Sequence, residues 1–160
     1  MVVKLKVVYH CYGGAHASPT AAALHLGLLP LDRSPQFQEF HRLIPYYDRI
    51  TRGEHGKLIK IGTDGNGHEV FVLGRRNAAR PVINAIKEFS RLCGVDPHQY
   101  YFVDVVQLSN PFMVAGGFVS RALGYVQLGR PLVSFGTGLS YRNLVRLVRR
   151  TLADLEGKPV

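Results

Sequence analysis

The 160 residues contain no tryptophan and only two cysteines, Cys11 and Cys93. Two thiols cannot build a disulfide framework, so the fold must stand on a hydrophobic core, and a reducing, cytoplasmic setting is expected. The opening MVVKLKVVYH lacks the long apolar segment and small-residue cleavage site of a secretory signal. No uninterrupted apolar run approaches the ~20 residues that a bilayer-spanning helix needs, so no membrane partner is expected. Acidic residues are also scarce, 11 against 20 Lys and Arg, for a formal charge of +9. Such a balance favours anionic partners such as nucleotides, nucleic acid or acidic proteins, although it is equally the mark of a solvated basic surface.

Hydrophobic residues make up 46% of the chain and charged residues 19%, with no polar low-complexity tract, which points to a globular fold. A chain of this length buries enough surface as one domain over residues 1–160 without a staple. Lys4 to Tyr9 reads as a strand covered on both faces, near the middle of a sheet. Ser18 as N-cap, Pro19 at the first helical position, an alanine-rich body and Gly27 at the stop then describe a short helix. Ser34-Pro35 and Asn110-Pro111 open two more helical segments, the first ending before Pro45 and the second at Gly124.

Two alternating runs, KLIKIGT and HEVFVLG, flank Asp64-Gly65-Asn66-Gly67 and predict a β-hairpin. Asn77 to Gly94 is predicted as a helix with Val82, Ile83, Ile86, Phe89, Leu92 and Cys93 on its buried face. Tyr100 to Val106 and Pro131 to Phe135 read as further strands, and Ser140 to Glu156 as a closing helix. Strands alternating with helices predict a three-layer α/β/α fold, with a mostly parallel mixed sheet of about five strands that includes the hairpin.

Function is expected where the first strand meets the first helix, at YHCYGGAHASPT. In α/β folds ligands lie at the carboxyl ends of strands, and a helix N-terminus offers unpaired N–H groups to an anion. Gly13, Gly14, Ala15 and Ser18 are the candidate cradle for phosphate. A Walker loop would place Gly-Lys-Ser/Thr where this chain has Ser18, Pro19 and Thr20, so its lysine is missing and ordinary ATP hydrolysis is disfavoured. Cys11 followed by five residues, Ala17 and Ser18 has the spacing of cysteine-dependent phosphatases but lacks their arginine. Arg75 and Arg76, with Asn77 beside them, are the candidates to supply that charge from a neighbouring loop. Cys11 is either a nucleophile assisted by His16 or a small buried thiol. His10 is directed elsewhere by strand alternation.

One cysteine and two histidines form no recognisable zinc spacing, and no motif names a cofactor. A second glycine-bearing segment, FGTGLS at 135–140, is expected to be another strand-to-helix loop beside the first. In the last helix Arg142, Arg146, Arg149 and Arg150 share a face, either solvated or gripping an acidic partner. No nucleic-acid module supports the nucleic-acid version, and oligomeric state has no signal in the sequence.

The opening block YHCYGGAHASPTAAALHLGLLP, together with PYYDR, GTDGNGHEVFVLGRRN and GRPLVSFGTGLSYRNLV, resembles the DUF3189 family of Firmicutes. The resemblance covers nearly the whole chain. It implies a cytoplasmic bacterial domain and brings no catalytic residues with it. The leading expectation is therefore a domain binding a phosphorylated small molecule or nucleotide, with thiol-based phosphoryl or acyl transfer at Cys11, or a non-catalytic interaction module, as alternatives.

Overall fold

The first strand, β1 (Lys6–Cys11), carries Val7, Val8 and Tyr9 at zero exposure. Burial on both faces is why its sequence shows no polar alternation. The computed structural model describes residues 4–157. It places β1 inside a four-stranded sheet with β2 (Ile59–Thr63), β3 (Glu69–Gly74) and β4 (Tyr100–Asp104), in the order β2-β3-β1-β4. β1 runs parallel to β3 and β4, with Tyr9 level with Val72 and Val103, while β2 and β3 form the antiparallel hairpin. The helices are α1 (Ala17–His25), α2 (Phe37–Leu43), α3 (Ala79–Leu92), α4 (Pro111–Gly117) and α5 (Val126–Leu155), with a π-helical turn at Phe118–Ala122.

From β1 the chain crosses through α1 towards β3, and from β3 through α3 to β4 on the other flank. Right-handed crossovers then put α1 and α3 on opposite faces. Val7, Tyr9 and Cys11 join Val70, Val72, Val103 and the α1 alanines in the main core. Tyr100 and Phe102, of the opposite parity, meet α3 through the Ser90 hydroxyl at 3.1 Å and the Lys87 ammonium 5.7 Å above the Phe102 ring. All nine residues of α1 are buried. Its small side chains let it lie between the sheet and α5, with which it also packs.

The hairpin turn follows from its sequence. Asp64 accepts hydrogen bonds from the amides of Asn66 (2.9 Å) and His68 (2.8 Å), and Gly67 takes φ +84°. Asp64 also holds His25 at 3.0 Å, and the other ring nitrogen of His25 meets the Tyr9 hydroxyl at 2.8 Å. A buried Tyr-His-Asp chain thereby pins the turn to the end of α1.

Several expectations are corrected. The sheet has four strands and not five, because Pro131 to Phe135 lies inside α5. A short apolar run does not distinguish strand from buried helix, and here packing decides. A Cβ on Gly129 would come within 2.5 Å of the Gly116 carbonyl oxygen, and one on Gly136 within 2.7 Å of the Met113 amide. Glycine thus brings α5 into backbone contact with α4 and the adjoining turn. For the same reason FGTGLS is mid-helix and forms no second loop.

Cys93, expected in the core, is exposed. Ser90 is the buried residue of that last helical turn, so the direction facing the sheet misses its neighbours Phe89 and Leu92, which are 69% and 84% exposed. α1 begins at Ala17, so Ser18 is inside the helix and not its cap. In α2 the cap is Gln36, paired with Glu39 in a capping box. Asn110 does cap α4, accepting from the Met113 amide.

Gly129→Ala should destabilise the fold by roughly 1–3 kcal/mol, the usual cost of overpacking. A lower urea midpoint at unchanged slope is the expected result.

Candidate functional site

β1 ends at Cys11, and the chain turns through residues 12–16 into α1. The β3 ladder continues past its strand, with the Arg75 amide donating to the Cys11 carbonyl (3.1 Å) and the Arg76 amide to that of Tyr12 (2.8 Å). Glycine is required on both sides of this contact. Gly14 has φ +70°, and a Cβ there would lie 2.7 Å from the Gly74 nitrogen, while one on Gly74 would lie 2.6 Å from the Gly13 carbonyl oxygen. The Gly14 amide donates to the Cys11 sulfur at 3.2 Å, and the Ala15 carbonyl accepts from the Asp48 amide at 2.9 Å. The amides of Gly13, Ala15 and His16 find no protein acceptor among the described residues. Those of Ala17 and Ser18 belong to the first turn of α1, where helix geometry leaves N–H groups unpaired.

His16 stands at the N-cap of α1 without capping it. Its Nε2 lies 3.0 Å from Asp48 Oδ1. The other oxygen of Asp48 accepts from the Ser120 hydroxyl (2.7 Å) and Arg130 Nε (3.1 Å), and its carbonyl takes Arg121 Nη1 at 2.9 Å. Burial pushes the Asp48 carboxyl up, but His16, Ser120 and Arg130 outweigh it and hold the group at about 2. Against an ionised acceptor His16 must donate through Nε2, which leaves Nδ1 as the acceptor nitrogen, on the side of the ring towards Gly117. Tyr47 packs edge-on against the ring.

The two candidate arginines have different fates. Arg75 is buried, and its guanidinium is shared between both Asp104 oxygens (3.1 and 3.0 Å), His10 Nδ1 (3.3 Å) and the Arg76 carbonyl (2.6 Å). Burial holds His10 below its ordinary pKa, with Arg75 adding to the effect and Asp104 opposing it, so His10 serves Arg75 as an acceptor. Arg76 is exposed, takes φ +50°, and donates through Nε to His55 Nδ1 at 3.0 Å. Burial and then the Arg76 charge lower the pKa of His55, whose ring also hydrogen-bonds the backbone of Gly13. His55 therefore straps Arg76 to the loop. The terminal nitrogens of Arg76 have no protein partner among the described residues. Asn77 lies exposed in the turn before α3.

Ser18 is wholly buried, and its hydroxyl has no hydrogen-bond partner among the described residues. Two surface grooves lie elsewhere, one lined by Leu108, Arg146, Arg150 and Asp154, the other by Pro111, Val114 and Phe118. Sequence reasoning missed Asp48 and His55. The only signal for Asp48 was a lone acid in PYYDR, and for His55 there was none, because each is brought to the loop by a contact between distant segments.

Replacing Asp48 with alanine would leave Arg130 and His16 without their buried counter-charge. The expected loss is about 3–5 kcal/mol, read by chemical denaturation. Because the folded-state pKa is depressed from 3.8 to about 2, the pH-dependent part of this, about 2.5 kcal/mol, is complete above the ordinary aspartate range and is lost as pH falls through about 2.

No curated protein and no solved structure matches this chain. Residues 6–152 match the family described as "Protein of unknown function (DUF3189)". The chain therefore belongs to the DUF3189 family, with nearly its whole length inside the matched region.

Proposed function

We propose that the β1–α1 loop binds the phosphate group of a phosphorylated small molecule or nucleotide. The carrying observation is the buried, unpartnered Ser18 hydroxyl in the first turn of α1, next to loop amides that also have no acceptor among the described residues. A buried hydroxyl without a partner costs about 1–3 kcal/mol, and an anion seated on the helix N-terminus is the kind of group that would satisfy hydroxyl and amides together. Arg76, strapped by His55, adds a guanidinium beside the loop. Arg75 is committed to Asp104, so its contribution is to hold the loop end of the sheet.

Inorganic phosphate, AMP and ATP titrated into isotope-labelled protein should shift the amides of residues 13–18. Arg76→Ala should weaken binding by about tenfold, the loss of one charge-assisted contact of roughly 1.4 kcal/mol or more. Ser18→Ala should weaken binding as well, yet leave the ligand-free protein as stable or up to about 1 kcal/mol more stable, because it removes an unsatisfied group. Shifts confined to the arginines of α5, or none at millimolar ligand, would overturn the reading.

A second reading has its own observation. The Gly14 amide donates to the Cys11 sulfur, and His16 in the same loop is oriented by a buried carboxylate. That pairing supports thiol-based phosphoryl or acyl transfer. In a Cys93→Ser variant, Cys11 should be alkylated at neutral pH faster than a free thiol, and His16→Ala should slow that reaction. Alkylation no faster than a free thiol, or unaffected by His16→Ala, removes this reading and leaves Cys11 as a core residue.

A further inference from the structure

α5 runs for 30 residues, so the arginine face and the apolar segment before it form one continuous helix. Leu128, Leu132, Phe135, Leu139, Arg142, Arg146 and Arg149 follow one another in alternate steps of four and three, the spacing of a coiled-coil seam. Leu128 is 71% exposed, and Phe135 and Leu139 are 56% exposed each. Phe112 of α4 widens this half, its ring 5.3 Å from that of Phe135. The three arginines are exposed and make no ion pair among the described residues. Leu128 to Arg149 spans about 32 Å at ~1.5 Å per residue. The seam is apolar over its first half and cationic over its second.

We propose that this seam docks an amphipathic helix of a partner protein, with leucine-type residues facing the apolar half and carboxylates facing the arginines. Charge and pattern select that occupant. Nucleic acid would satisfy the arginines and leave the leucines in water. An amphipathic helix lying in a bilayer interface separates apolar from polar around its circumference, whereas here the two halves follow one another along the same face of the helix. A second copy of the chain fails in either direction: parallel pairing sets arginine against arginine, and antiparallel pairing sets arginine against leucine. A partner helix of opposite charge pattern satisfies both halves at once.

The test uses two labelled synthetic helical peptides of about 22 residues, the length of the seam at ~1.5 Å per residue. Each has leucines at the seam positions of one half and glutamates at those of the other, and the two differ in which half comes first. One of them should bind the full chain, with affinity falling as salt rises. Leu139→Asp should abolish binding. Arg142→Glu with Arg146→Glu should weaken it by about tenfold or more, and a peptide carrying lysine for glutamate should restore binding to that variant. All three substitutions are at exposed positions, so the fold should tolerate them.

Failure of both peptides overturns the proposal. So does preferential binding to phosphatidylglycerol vesicles or to an oligonucleotide, or sedimentation showing self-association that Leu139→Asp removes. The phosphate titration of the loop is a separate measurement, so the two proposals stand or fall independently.

Discussion

A single carboxylate with no exposure to solvent, that of Asp48, joins parts of the chain that are far apart in sequence. Its oxygens take His16 from the β1–α1 loop, Ser120 from the π-helical turn and Arg130 from α5. Its amide reaches the Ala15 carbonyl, and its own carbonyl takes Arg121. A buried charge is tolerated only when it is paired and its lone pairs are filled, and both conditions are met here by groups from separate elements. The left-handed backbone at Asp48, φ +51°, is a local strain accepted to aim that carboxylate inwards. The π-helical turn, α5 and the β1–α1 loop are therefore held together through one residue.

The opposite flank of the loop is organised by backbone contact. Gly13 and Gly14 press against Gly74, and β3 continues to pair with β1 beyond the formal strand end. This brings consecutive arginines to the same place with opposite assignments. Arg75 turns into the sheet, to Asp104 and His10, and Arg76 turns to His55 and the loop. The left-handed turn at Arg76, just past the end of β3, separates the two, so that one holds the structure and the other is left exposed beside the loop.

α5 illustrates how one helix can carry unrelated demands. Its inner faces are glycines, serines and apolar residues that let α4 and α1 approach, including Gly129, Gly136, Ser140 and Leu144. Its outer seam has no such partner among the described residues and divides into apolar and cationic halves. Pro131 sits exposed inside the helix near its start, where it removes one helical hydrogen bond.

Local chemistry was enough for much of the fold. The doubly buried β1, the Asp64–Gly67 hairpin, the Asn110 cap and the glycine stop of α1 each follow from residues that act on their neighbours in sequence. The glycine loop with Cys11 and His16 follows from such neighbours as well, whereas which of Arg75 and Arg76 stands exposed beside it is set by remote partners. What the tertiary structure alone decided concerns residues whose partners are remote. Packing against α4 made 131–135 a helix, the turn geometry of α3 left Cys93 in solvent, and long-range pairing made Asp48 and His55 part of the site. Periodicity records which side of an element is apolar, but which neighbour covers it, and which charge it meets, is settled only when the elements assemble.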